Sequence, residues 1–212
     1  MSERYTTTLE SWDKLADAYQ EKFMYLDLYN GTYDRFCNLV ELPAARIFEI
    51  GCGPGNITKY LLEKRPEYTI DAIDASPAMA ALAKQNNPPA NVSVMDCRDI
   101  GSISQKYQGV VCGFCLPYLE KTDCERLFKN CVSLLLPDGV LYVSAIEGDY
   151  AASGWGTDSK GEHKMYVYYY DETYLTGLLK QNGFAITAVE RIPYTMANGN
   201  SSVHLVIMGR RK

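Results

Sequence analysis

The chain has 212 residues, 47% of them hydrophobic and 22% charged, with a formal net charge of −5, values ordinary for a globular protein with a full sheet-and-helix core. The acidic balance, and the lack of any Lys/Arg cluster beyond Arg210, Arg211 and Lys212, argue against a nucleic-acid partner, which usually demands a basic face. No apolar run approaches the roughly 20 residues that span a membrane, and the opening MSERYTTTLESWDK has no apolar signal core, so the chain reads as cytoplasmic with no membrane partner.

Residues 1–43 read as a helical cap, in which Tyr25, Tyr29 and Tyr33 share one helical face at a spacing that packs an amphipathic helix. From Arg46 onward strand and helix alternate. Arg46–Ile50 is a first strand, followed by a Gly-rich turn and a helix through Tyr60, Leu61 and Leu62. Thr69–Ile73 is a second strand, after which Ser76-Pro77 opens an Ala-rich helix to about Gln85, a capping residue followed by Pro at the first helical position. Asn91–Met95 and Gly109–Phe114 are the third and fourth strands. Within Asp123–Leu136, Leu127, Cys131, Leu134 and Leu135 recur at helical spacing. Pro137-Asp138-Gly139 is a turn into a fifth strand, Val140–Ala145. Glu147–Lys164 holds four glycines and reads as a long, lid-like loop. A helix over Glu172–Gln181 stops at Asn182, with Gly183 as its C-cap. Phe184–Ile192 and Val203–Met208 then form an antiparallel hairpin through a turn at Ala197-Asn198-Gly199-Asn200. Repeated strand–helix units imply a parallel sheet covered on both faces, with ligands at the carboxyl ends of its strands.

Gly51, Gly53 and Gly55 follow the first strand directly, and glycine lets a ligand approach the backbone closely. A dinucleotide fingerprint would carry its third glycine at position 56, which is Asn56, and no Gly-Lys-Ser/Thr follows to make a phosphate loop. Gly51-x-Gly53-x-Gly55, with Glu49 two residues ahead, resembles motif I of the class I S-adenosylmethionine-dependent methyltransferases. Asp74-Ala75-Ser76-Pro77-Ala78-Met79 is similar to that family's second-strand end, and Asp96 to the acid after its third strand. Leu136-Pro137-Asp138-Gly139-Val140-Leu141 resembles its turn into strand five, and Leu178-Leu179-Lys180-Gln181-Asn182-Gly183-Phe184 its entry to the final hairpin. These landmarks lie in order between residues 46 and 209.

The resemblance implies an α/β, Rossmann-like, doubly wound and mostly parallel seven-stranded sheet with an antiparallel C-terminal hairpin. One methyltransferase domain would span residues 1–212, with a core over 46–209 beneath the cap. The cofactor would be S-adenosyl-L-methionine, leaving as S-adenosyl-L-homocysteine. Asp74 would accept both ribose hydroxyls and Asp96 the adenine amine, with Asp99 competing for the second role. Glu49, Gly51, Gly53 and Gly55 would form the loop around the cofactor, and Ala75, Met79, Cys97 and Phe114 would flank it. Tyr19 would cover it from the cap, as an N-terminal helix does in similar methyltransferases.

The reaction so implied is methyl transfer to a small-molecule O, N or C nucleophile by metal-free direct displacement, in which alignment of the reacting atoms is the enzyme's main contribution. No residue is assigned a catalytic role, and a base is needed only if the nucleophile must shed a proton. Two alternatives stay open: a non-catalytic adenosylmethionine-binding or partner subunit on the same fold, and a NAD-dependent oxidoreductase, disfavoured by Asn56. Gln108-Gly109 replaces an aspartate often found at the start of the fourth strand. No Asn or Asp precedes Pro117 in Phe114-Cys115-Leu116-Pro117-Tyr118, and Asn87-Pro88-Pro89 runs into Ala90, which argues against a DNA-base methylase. Among seven cysteines, Cys112 and Cys115 form a lone CxxC that reads as buried thiols rather than a metal or redox site. His163 reads as a solvated loop residue, and His204 as facing solvent or a neighbouring strand.

Overall fold

Three short helices open the chain: Glu3–Lys14 (α1), Ala16–Phe23 (α2) and Asn30–Leu39 (α3). Ser2 caps α1 by accepting from the Tyr5 amide, one of the donors a helix start leaves unpaired. The tyrosine stripe does not run along a single helix. The chain turns after Phe23, leaving Tyr25 84% exposed, while Tyr29 and Tyr33 are buried. The computed structural model describes residues 2–158, 160–195, 199 and 201–212.

Arg46–Ile50 (β1) lies at the centre of the sheet and is apolar on both faces because both are covered. Phe48 and Ile50 pack with Leu127 and Phe128 on one side, and Ile47 packs with Phe36 and Leu61 on the other. The chain continues through Asn56–Lys64 (α4), Thr69–Asp74 (β2), Pro77–Asn86 (α5), Asn91–Val94 (β3) and Tyr107–Cys112 (β4). Lys121–Leu134 (α6) leads into Leu135–Ile146 (β5). This strand begins earlier than its apolar run suggests, because Tyr107 pairs with Leu135 before a register shift brings Gly109 opposite Val140, with Asp138 at φ 62 in between.

The segment expected as an open loop is partly sheet. Gly154–Thr157 (β6) and Lys164–Val167 (β7) pair antiparallel, with Trp155 edge-on to Tyr166 at 5.4 Å. Glu172–Gln181 (α7) ends where expected, with Gly183 at φ 84. Phe184–Thr195 (β8) and Ser201–Arg211 (β9) then form the antiparallel pair. Of the turn expected between them only Gly199 lies among the described residues.

The seven-stranded sheet has the order β3-β2-β1-β4-β5-β9-β8, parallel from β3 to β5. The chain leaves β1 toward β2 and β3, then returns to its other side as β4. The carboxyl ends of β1 and β4 therefore flank the topological switch point, where a sheet of this kind leaves a crevice.

Candidate functional site

At that switch point a pocket opens, enclosing about 780 Å³ counting its mouth. Gly51 and Gly53 from the loop after β1, Asp74 and Ala75 from the end of β2, and Met79 from α5 line it. Met95 and Cys97 come from the end of β3, and Phe114, Cys115 and Tyr118 from the stretch after β4. The cap closes it from above with Tyr5, Thr8, Leu9 and Trp12 of α1 and Tyr19 of α2.

The glycine loop is left-handed at Gly51, Gly53 and Gly55, with φ 68, 55 and 84. A Cβ on Gly51 would sit 3.3 Å from Cys115 Cβ, so the backbone and the β4 loop meet closely at the pocket wall. Gly55 does not line the pocket. Its missing Cβ would fall 2.2 Å from Asn87 Nδ2, the atom that donates to the Gly55 carbonyl at 2.9 Å. The glycine that comes one residue early for a dinucleotide loop thus serves as the N-cap of α4, and Asn56 is already helical.

Asp74 ends β2 with its carboxylate fixed by two amides: Gly53 N–H donates to Oδ2 and Ser76 N–H to Oδ1, both at 2.8 Å. One lone pair on each oxygen remains for a ligand. Burial raises the Asp74 carboxyl above its usual range, partly offset by those amides. A diol donor pair approaching from the pocket matches this carboxylate, and the close-set glycine backbone matches a ligand lying flat on the loop. The residues at the switch point therefore fit the ribose and methionine portions of adenosylmethionine.

Three residues expected at the cofactor stand elsewhere. Glu49 is 1% exposed beneath the loop and accepts from the Thr58 hydroxyl, while its Oε1 has no partner. Burial pushes its carboxyl up to about 8. It braces β1 against α4 and is not on the pocket wall. Asp96 also lies off the wall, because Arg98 turns back onto it: the Arg98 amide and Nε both donate to Oδ1 at 2.9 Å. The Arg98 guanidinium stacks 3.7 Å over the Tyr5 ring. Asp99 is exposed and offers no alternative. Gly55, as above, is structural.

Of the two places expected for His204, it takes the neighbouring strand, stacking on Tyr194 of β8 with ring centroids 4.8 Å apart. It is 7% exposed, and its Nδ1 is 2.6 Å from the Tyr29 hydroxyl and Nε2 3.2 Å from Ser202 Oγ. Burial holds the imidazole down at about 4, so it is neutral. Phe114, at φ 55, packs edge-on to it with ring centroids 4.7 Å apart. His163 lies in the lid beside Asp158 and Glu162, their ligand atoms within 4.8 Å of one another. Asp158 Oδ1 there already accepts two backbone amides.

Sequence reasoning missed several contributors. Trp12, Tyr5, Tyr118 and Cys115 reach the pocket only through the docking of α1 and the loop after β4, and Met95 reaches it from the end of β3. Asp13 was not singled out either: its Oδ1 accepts from Ser76 Oγ at 2.6 Å and from the Ala78 amide at 2.9 Å. An isolated acid on a polar helix carries no local signal for such a bond.

Residues 47–139 match the profile of a methyltransferase domain family. Trans-aconitate 2-methyltransferase of Escherichia coli is 37% identical over 97 residues, 46% of this chain and 37% of that one. The chain spans half or less of the length of the curated relatives it matches. A Burkholderia thailandensis 1,6-didemethyltoxoflavin-N1-methyltransferase, solved with its substrate and S-adenosylhomocysteine, superposes with a TM-score of 0.76 at 16% identity, covering 100% of this chain and 92% of that one. Magnesium protoporphyrin IX methyltransferase of Synechocystis PCC 6803, solved with bound adenosylmethionine, gives a TM-score of 0.71 at 16% identity over 100% and 99% of the two chains. Among the described residues no helix is long and apolar enough to cross a membrane.

Proposed function

We propose that the protein transfers a methyl group from S-adenosylmethionine to a small-molecule nucleophile, a reading supported by the match of residues 47–139 to a methyltransferase domain family. The observation that carries this reading is the Asp74 carboxylate, anchored by two amides beside the glycine loop with a lone pair to spare on each oxygen. Bound adenosylmethionine supplies the activated methyl group. Asp74 holds the two ribose hydroxyls, and the backbone of Gly51 and Gly53 lets the methionine arm lie close. Met95 and Cys97 form the apolar wall for the adenine, a role that falls to them because Arg98 occupies Asp96.

On the acceptor side Trp12, Tyr19, Phe114 and Tyr118 present ring faces and edges, surfaces that order a planar group and exclude water. No Lys, Arg or His lines the pocket among the described residues. A polyacid such as the aconitate named for the Escherichia coli relative would meet no counter-charge there, whereas the aromatic lining suits an uncharged acceptor with a ring. The cysteines are free thiols, in keeping with a cytoplasmic setting. Calorimetry tests the reading: S-adenosylhomocysteine binds in the micromolar range and NAD does not. Heat from NAD with none from S-adenosylhomocysteine would overturn it.

A further inference from the structure

The pocket wall holds two thiols from different elements. Cys97 opens a 3-10 turn after β3, and Cys115 sits in the loop after β4. Their sulfurs are 3.7 Å apart, with the Cys115 S–H donating to Cys97. Both line the pocket. Cys115 also neighbours its CxxC partner Cys112, but Cys112 lies fully buried within β4 and is absent from the pocket wall, so Cys97 is the partner on that wall. A disulfide has a sulfur–sulfur distance of about 2.05 Å, so the two need close by only about 1.7 Å. Both lie in connections beyond strand ends, where the backbone can yield more readily than in the ladder.

We propose that Cys97 and Cys115 form a dithiol whose oxidation by peroxide to a disulfide closes the cofactor pocket. Cys115, half-buried where Cys97 is 5% exposed, meets the oxidant first. Its sulfur attacks one peroxide oxygen, the O–O bond breaks, the other oxygen leaves as water, and Cys115 is left as a sulfenic acid. Cys97 sulfur then displaces the sulfenic oxygen as a second water, forming the S–S bond. Two thiols and one hydrogen peroxide thus give one disulfide and two waters, and an added dithiol reverses the step by exchange. The Cys115 hydrogen bond and burial hold Cys97 protonated, and the Cys112 thiol and burial do the same for Cys115 against an opposing pull from Cys97, so oxidation is slow at neutral pH and quickens as pH rises. Because Cys115 Cβ lies against Gly51, the bond moves the wall where the methionine arm would lie. A packed interior passes such a shift on rather than absorbing it. Bound ligand in turn shields both sulfurs.

The closing of the pocket rests on the proposed cofactor role, whereas formation of the bond does not. The test treats the whole protein with hydrogen peroxide, then reads intact mass, a non-reducing peptide map and S-adenosylhomocysteine affinity. The expected result is a mass loss of about 2 Da mapped to Cys97–Cys115. With it come an affinity at least tenfold weaker, recovery with dithiothreitol, and protection when S-adenosylhomocysteine is present during oxidation. Cys97→Ser and Cys115→Ser should each bind alike before and after peroxide. A map joining any other pair, no mass loss, or a mapped bond with affinity unchanged would each overturn the proposal. Reduced protein that bound no S-adenosylhomocysteine would refute the cofactor assignment instead, with mass and map still deciding the cross-link.

Discussion

A single carboxylate concentrates the binding chemistry at the residue scale. Asp74 spends one lone pair of each oxygen on the loop and on α5, and the other pair is where a ribose diol would dock. Removing charge-assisted hydrogen bonds of this kind costs roughly 1.5–3 kcal/mol, which is an affinity loss of roughly 10- to 150-fold. Asp74→Ala also strands the amides of Gly53 and Ser76, so simple weakening is ambiguous. Titrating wild type and variant with S-adenosylhomocysteine and its 2′,3′-dideoxy analogue separates the two effects. The variant's loss should shrink sharply for the analogue, which has no diol to lose. Equal losses on both ligands would make Asp74 a purely structural acid.

At the scale of elements, α1 is a cover held at three points. Ser11 Oγ donates to the Lys164 carbonyl at 2.7 Å, Thr8 Oγ1 accepts from the Tyr166 amide at 2.9 Å, and Asp13 bridges to the start of α5. The last contact sets a carboxylate at a helix N-terminus, where it is favoured by the dipole and by unpaired amides. Losing an acceptor there costs typically about 1 kcal/mol. Asp13→Ala should therefore open α1 several-fold more often, read as faster hydrogen exchange over residues 3–14 with exchange in β1 unchanged. Faster S-adenosylhomocysteine dissociation should accompany it. Identical exchange in variant and wild type would mean that Ser11 and Thr8 alone hold the cover.

For the whole molecule, two buried ionisable groups pull stability in opposite directions with pH. Glu49, raised from 4.5 to about 8, binds more protons folded than unfolded between those values. Stability therefore falls as pH rises through that window. His204, lowered from 6.5 to about 4, binds more protons unfolded, so stability falls as pH drops below 6.5. The slopes oppose each other below 6.5, which leaves the Glu49 effect to be seen between pH 6.5 and about 8. Without ligand, the melting temperature of the wild type should decline across that interval, and Glu49→Gln should flatten the decline. A variant with the wild-type slope would show that Glu49 does not titrate there.

What the sequence determined by itself was whatever short-range chemistry enforces. Alternating apolar runs gave the strands and helices of the core, Ser76-Pro77 gave the start of α5, Gly183 the end of α7, and Gly51, Gly53 and Asp74 the loop that lines the pocket. These features need only neighbours in the chain. Tertiary structure decided the rest. Asp96 looks free in sequence, but its charge is taken by Arg98, whose guanidinium stacks on a ring from α1. For His204 the sequence left solvent and a neighbouring strand open, and β9, lying between β5 and β8, carries it onto Tyr194 and under Tyr29. Glu49 and Gly55 serve packing between β1, α4 and α5, a role set by the distance between elements. The contact of Cys97 with Cys115 likewise exists only because the parallel strands β3 and β4 point their carboxyl ends the same way. A side chain's partner is fixed by what the fold brings within reach: Tyr29 for His204 and Asn87 for Gly55 are far away in sequence, and even the nearby Arg98 is set on Asp96 by a ring from α1.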